Sequence, residues 1–147
     1  MDISIWEAAK RGDVNQMAAR LAEGVHVDDE DEGDDDASET PLRIAAAQGH
    51  IHAVEFLIEA KANLNFCHDD GYTALMAAAL DGQGDIAGLL VRSRADCAIK
   101  NRQGKTAEQI AMQEGYMHMS FLLSERNHHK WLVCCHDSAE PFLLVLC

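Results

Sequence analysis

Two stretches hold residue types that could do chemistry. The first is DDEDEGDDDASE, residues 28–39, in which nine of the twelve residues are acidic. A twelve-residue calcium loop needs oxygen ligands at positions 1, 3, 5, 7, 9 and 12, with Gly at position 6. Counted from Asp28, the run supplies Asp28, Glu30, Glu32, Asp34, Asp36 and Glu39, with Gly33 in sixth place. The spacing fits and the residue types fit less well. Glu30 and Glu32 stand where shorter side chains are usual. Asp35 takes a place that is ordinarily apolar and packs on a sister loop, and no sister loop exists. A run this acidic can match by chance. Weak, non-selective divalent cation binding is therefore expected rather than a selective site, and no metal or other cofactor is assigned.

The second stretch is the tail NHHKWLVCCHDSAEPFLLVLC, with His128, His129, Cys134, Cys135 and His136. Zinc accepts these ligands, but its usual pattern is two well-spaced pairs. Adjacent Cys and adjacent His side chains do not converge easily on one ion. A Cys–His nucleophile would need a cleft and an orienting group, and the sequence implies neither. No catalytic residue is assigned, and the chain is not expected to be an enzyme.

Composition bounds what remains. The length of 147 residues suits one domain. Nearly half the residues are apolar, Ala is very common and aromatics are few, which favours closely packed helices over a β-sandwich. The formal charge is −13, yet outside residues 28–39 there are 16 acids against 12 Lys and Arg, so most of the excess is local. Binding to nucleic acid or an anionic membrane through a general field is not expected. MDISIWEAAKRGD lacks the basic start and apolar stretch of a signal peptide. No run of 18 apolar residues suggests a membrane helix. The five cysteines are odd in number and irregularly spaced. Reduced thiols in a cytoplasmic or nuclear protein follow as the expectation.

The elements that would position any site repeat every 33 residues. Thr40, Thr73 and Thr106 share that spacing, as do Gly49, Gly82 and Gly115, and Ala45, Ala78 and Ala111. A fourth, earlier copy, IWEAAKRGDVNQMAARLAEGVHVD, aligns if four residues are inserted inside the acidic run. Each copy reads alike. Thr followed by Pro or Ala caps a short helix. Small residues line that helix, and Gly ends it in the left-handed conformation. A second helix carries apolar residues at i, i+3 and i+4, such as Ala53, Phe56 and Leu57, or Ile86, Leu89 and Leu90. Polar turns, His68-Asp69-Asp70-Gly71 and Asn101-Arg102-Gln103-Gly104, lead to the next Thr.

This pattern resembles the ankyrin repeat family, whose signature stands here as Thr40, Pro41, Leu42, Ala45, Ala46, Gly49 and His50. The match is strongest over residues 40–104. The family's His after T-P-L is Arg43, Met76 and Gln109 here, which leaves its turn-bracing bonds without their usual donor. The Gly that ends the second helix is replaced by Lys61 and Arg94, each at a cost of about 1 kcal/mol.

The resemblance implies an all-α solenoid of stacked helix–turn–helix units with protruding finger loops. The expected domain covers residues 1–126: a capping repeat at 2–39 with the lengthened acidic finger, repeats at 40–72 and 73–105, and a partial repeat at 106–126. Residues 127–147 would be a cap on the stack or a disordered tail. The resemblance also implies a non-catalytic module, an adaptor or regulatory subunit, that binds a partner protein on the concave side. The contact residues it points to are Glu39, Arg43, Gln48, Asp69, Asp70, Tyr72, Met76, Leu80, Asp81, Arg102, Lys105, Gln109 and Gln113. Tyr72, Met76 and Leu80 would form an apolar centre. Charge runs from acidic at the first finger to basic at Lys100, Arg102 and Lys105, which would suit a partner with a basic patch facing the acidic finger. The protein is expected to act as a monomer. The alternative is a divalent-cation-responsive protein working through residues 28–39.

Overall fold

The three Thr residues at the 33-residue spacing all work as helix caps. In the computed structural model, Thr40, Thr73 and Thr106 are extended, and each Oγ1 accepts from the N–H three residues on, of Arg43, Met76 and Gln109. Thr106 makes the reciprocal bond as well, its own N–H donating to Gln109 Oε1 at 3.0 Å. Ser4 and Asp13 cap the first two helices in the same manner.

The structure describes residues 3–30 and 39–124. These contain α1 (Ile5–Arg11), α2 (Val14–Ala22), α3 (Pro41–Gln48), α4 (Ile51–Glu59), α5 (Ala74–Leu80), α6 (Gly84–Arg92), α7 (Ala107–Gln113) and α8 (Met117–Leu123). Consecutive helices pair as hairpins. The odd-numbered helices stack α1–α3–α5–α7, and the even-numbered ones stack α2–α4–α6–α8. The result is two helical layers with the finger loops projecting between successive hairpins. The expected all-α ankyrin solenoid is the observed fold.

Alanine explains how closely the inner layer packs. Ala8, Ala9, Ala45, Ala46, Ala78, Ala79 and Ala111 are fully buried, so neighbouring backbones meet with little side chain between them. The larger apolar residues Met17, Val54, Leu57, Ile86 and Leu90 fill the space between the layers. Each large side chain fully removed from water stabilises by about 1.5–3 kcal/mol.

The glycines that end the inner helices do two things. Gly49 has φ 81° and Gly82 φ 70°, a conformation that side chains disfavour. They also make room for the next repeat: a Cβ on Gly49 would lie 2.8 Å from the Gln83 side chain, and one on Gly82 would lie 2.5 Å from the Tyr116 ring. His50 covers Gly12 in the same way and its Nε2 lies 3.0 Å from the Lys10 carbonyl oxygen. Of the second helices, α2 keeps its glycine, Gly24 at φ 92°, whereas after α4 and α6 Lys61 and Arg94 take φ of 68° and 72°, the strained turn their positions predict.

Candidate functional site

The finger at 68–72 is the best-defined part of the candidate face. Arg43, from the first turn of α3, reaches it across 27 residues of sequence. Its guanidinium donates to both Asp70 carboxylate oxygens, at 3.2 and 3.0 Å. It also lies 3.4 Å from Glu39 Oε1 and 5.9 Å from the centre of the Tyr72 ring. Asp70 Oδ1 accepts in addition from the Tyr72 N–H at 2.8 Å. Partial burial pushes the Asp70 pKa up, but the Tyr72 N–H and the charge and hydrogen bonds of Arg43 outweigh it, with a smaller pull from His68. The carboxyl ends below its usual value. Beneath this cluster the buried His68 ring has Nε2 3.4 Å from Thr40 Oγ1. Arg43 thus stands where the family's His stands and braces the turn by a longer route, a two-pronged ion pair.

The next finger, at 101–105, is built differently. Asn101 occupies the place of His68 and its Oδ1 accepts from the Gln103 and Lys105 N–H groups. Its amide nitrogen is buried with no hydrogen-bond partner. Lys105 Nζ pairs with Gln113 Oε1. The two fingers meet through the Arg102 N–H, which donates to the Asp70 carbonyl at 3.3 Å.

A second set of bonds joins the loops that follow the outer helices. Both oxygens of Asp28 accept from the Asn63 N–H, and Asn65 Oδ1 accepts from the Asp96 N–H at 2.7 Å. One repeat further on, the equivalent of Asn65 is Ala98, which offers no side-chain acceptor. Asp28, the first ligand in the calcium reading, is therefore already engaged in joining two repeats. Residues 31–38, which hold most of that acidic run, lie outside the described residues. So do Cys134, Cys135, His136 and the rest of the tail. Among the described residues no group of three His, Cys, Asp or Glu side chains is arranged to hold a metal ion, and no helix is long and apolar enough to cross a membrane.

The expected contact residues divide by exposure. Gln48, Asp69, Leu80, Asp81, Arg102, Gln109 and Gln113 are exposed. Glu39, Asp70, Tyr72 and Lys105 are half-buried, and the Arg43 side chain keeps only 13% of its surface. Met76 is a correction. At 1% exposure it is a core residue and cannot form the middle of an apolar contact patch. Its helix, α5, is flanked by α3 and α7, and the Met76 side chain is part of the buried core. Leu80 is exposed and Tyr72 partly so, and they remain on either side of it. The Arg43–Asp70 pair is a feature that sequence reasoning missed. Both residues were candidates for a partner, and nothing local to either signals that they bind each other.

A profile of the ankyrin family, described as ankyrin repeats in three copies, matches residues 5–101, well over half of the chain. Over 74 residues the chain is 36% identical to mouse "Ankyrin repeat and SAM domain-containing protein 6", covering 50% of this chain and 8% of that protein. It is 35% identical over 80 residues to mouse "Protein phosphatase 1 regulatory subunit 12A", 53% of this chain and 8% of the relative. It is 35% identical over 101 residues to "Dauer abnormal formation protein 25" of Caenorhabditis elegans, 68% of this chain and 25% of the relative. The chain thus spans a quarter or less of these relatives' own length. Ankyrin repeats are protein-interaction modules, generally without catalysis of their own. With its capping threonines, its alanine-lined inner helices and this match across residues 5–101, the chain belongs to the ankyrin repeat family.

Proposed function

We propose that this chain is a non-catalytic protein–protein interaction module, an adaptor or regulatory subunit. Its partner binds the concave side made by the fingers and the inner helices. The observation that carries this reading is the Arg43–Asp70 clamp on the finger at 68–72. A finger held against its helix presents Asp69 and the edge of Tyr72 with little ordering entropy left to lose on binding. Leu80 and Asp81 lie exposed at the far end of α5. Arg102, Gln109 and Gln113 continue the exposed set on the next repeat. The acidic finger at 28–39 favours a basic patch on the partner, and that contribution fades as salt rises. One relative is by name a regulatory subunit, which agrees with a role of this class.

The test is quantitative binding to proteins that co-purify with the intact chain. Tyr72→Ala with Leu80→Ala should weaken the specific partner about tenfold or more. Shortening the first finger to the ordinary length, without its acids, should flatten the salt dependence. Unchanged affinity in the first variant and unchanged salt dependence in the second would overturn the assignment of this face. The divalent-cation alternative is separable by calcium calorimetry, since the absence of micromolar binding removes it.

A further inference from the structure

A terminal repeat normally turns a polar face outward. The last hairpin among the described residues does not. Met117 is 65% exposed and Phe121 66%, and Met112 and Tyr116 are exposed beside them. A trough opens between this face and α6. It consists of two adjoining cavities of about 250 and 520 Å³ that share Gly84, Asp85 and Leu122. The trough exists because α6 carries Gly84 and Gly88 one turn apart, and a Cβ at either would meet nothing within 4 Å. Its floor and sides are largely apolar, with Ile51, Val91 and Met119 among them.

We propose that the trough and the exposed face of α8 are the docking site for this chain's own residues 127–147, with Trp131-Leu132-Val133 entering the trough. Three observations favour this occupant. The chain leaves α8 at Ser124 in an extended conformation, beside Leu122, which lines both cavities. The 23 residues beyond Ser124 hold two apolar runs, Trp131-Leu132-Val133 and Phe142-Leu143-Leu144-Val145-Leu146. The distance is short: α8 is about 10 Å long, and seven residues of extended chain span up to about 25 Å. A tethered segment also meets its site at an effective concentration in the millimolar range, which a separate partner must overcome. The docked tail would lie over the exposed Met112, Tyr116 and Met117. It acts on the outer helices, away from the finger face.

The test uses the full chain with the photo-crosslinking residue benzoylphenylalanine in place of Met117. Irradiation should join position 117 to a peptide of the same chain containing residues 131–133 or 142–146. Crosslinks between chains would assign the face to a second copy, and no crosslink would leave the face unoccupied; either overturns the proposal. A second measurement does not depend on crosslinking. Trp6→Phe leaves Trp131 as the one tryptophan. Its emission should be blue-shifted and shielded from acrylamide, and Met117→Asp should shift it to the red and restore quenching. Emission of a water-exposed tryptophan before Met117 is changed would refute docking.

Discussion

In the finger at 68–72 the buried His68 ring reaches Thr40 Oγ1, whereas one repeat on Asn101 leaves its amide nitrogen buried with no partner. The finger at 68–72 is also gripped from α3 by Arg43, and its backbone is pressed against the finger at 101–105: a Cβ on Gly71 would lie 2.8 Å from the Arg102 nitrogen and 2.9 Å from the Asn101 Cα. At Gly104 of the finger at 101–105 a Cβ would meet nothing within 4 Å. Loops of equal length and similar turn therefore differ in how firmly they are held. The inner finger is braced on both sides, and the outer one chiefly by its own hydrogen bonds. A rigid element beside a more loosely held one is what a face needs to fix a partner's register and still adapt at one edge.

The comparison can be broken most sharply at the glycines. Gly71→Ala adds a clash with backbone to the strain of φ 77°, and urea unfolding should show a loss of about 2–4 kcal/mol. Gly104→Ala adds only the strain of φ 75° and should lose about 1 kcal/mol. Equal losses would mean the two fingers are equally packed. Next in size is an exchange of the buried polar pair. His68→Asn should cost about 1 kcal/mol, and Asn101→His should recover a similar amount, because the ring nitrogen reaches further than the amide nitrogen. If Asn101→His destabilises, the loss of the Asn101 bonds to Gln103 and Lys105 outweighs the new brace.

The smallest effect is the clamp. The Asp70 pKa is lowered, so the folded state binds that proton less tightly than the unfolded chain does. Its contribution is present above the unfolded-chain value and is lost as pH falls through the folded one. The carboxylate is 42% exposed, so the pair is screened and is worth less than about 1 kcal/mol. Asp70→Asn should be slightly less stable than the parent near neutral pH and indistinguishable from it in acid. A gap that persists at low pH would show that shape rather than charge holds the finger.

What could be read in the sequence was local. Thr40, Thr73 and Thr106 cap helices through a bond three residues long, so their spacing alone places α3, α5 and α7. The same holds for the glycine turns and for the strained Lys61 and Arg94. What could not be read depends on neighbours distant in the chain. Arg43, Met76 and Gln109 share one place in three repeats, yet Arg43 pairs with a finger, Met76 is core and Gln109 completes a cap. Side-chain length and the flanking repeats decide among these outcomes, and neither is a property of the position. The same limit applied to His68, which looks like an ordinary turn residue until Thr40 beneath it is seen.

The bonds from Asp28 to Asn63 and from Asn65 to Asp96 all run one way, each acceptor belonging to the earlier repeat. The solenoid consequently has a grammar: two successive units end with a residue that the next unit addresses. Ala98 is silent in that grammar. Anyone completing the partial unit at 106–126 into a full repeat would have to restore the missing word, with Ala98→Asn or Ala98→Asp, before its closing loop could be held as those at 63–65 and 96–98 are.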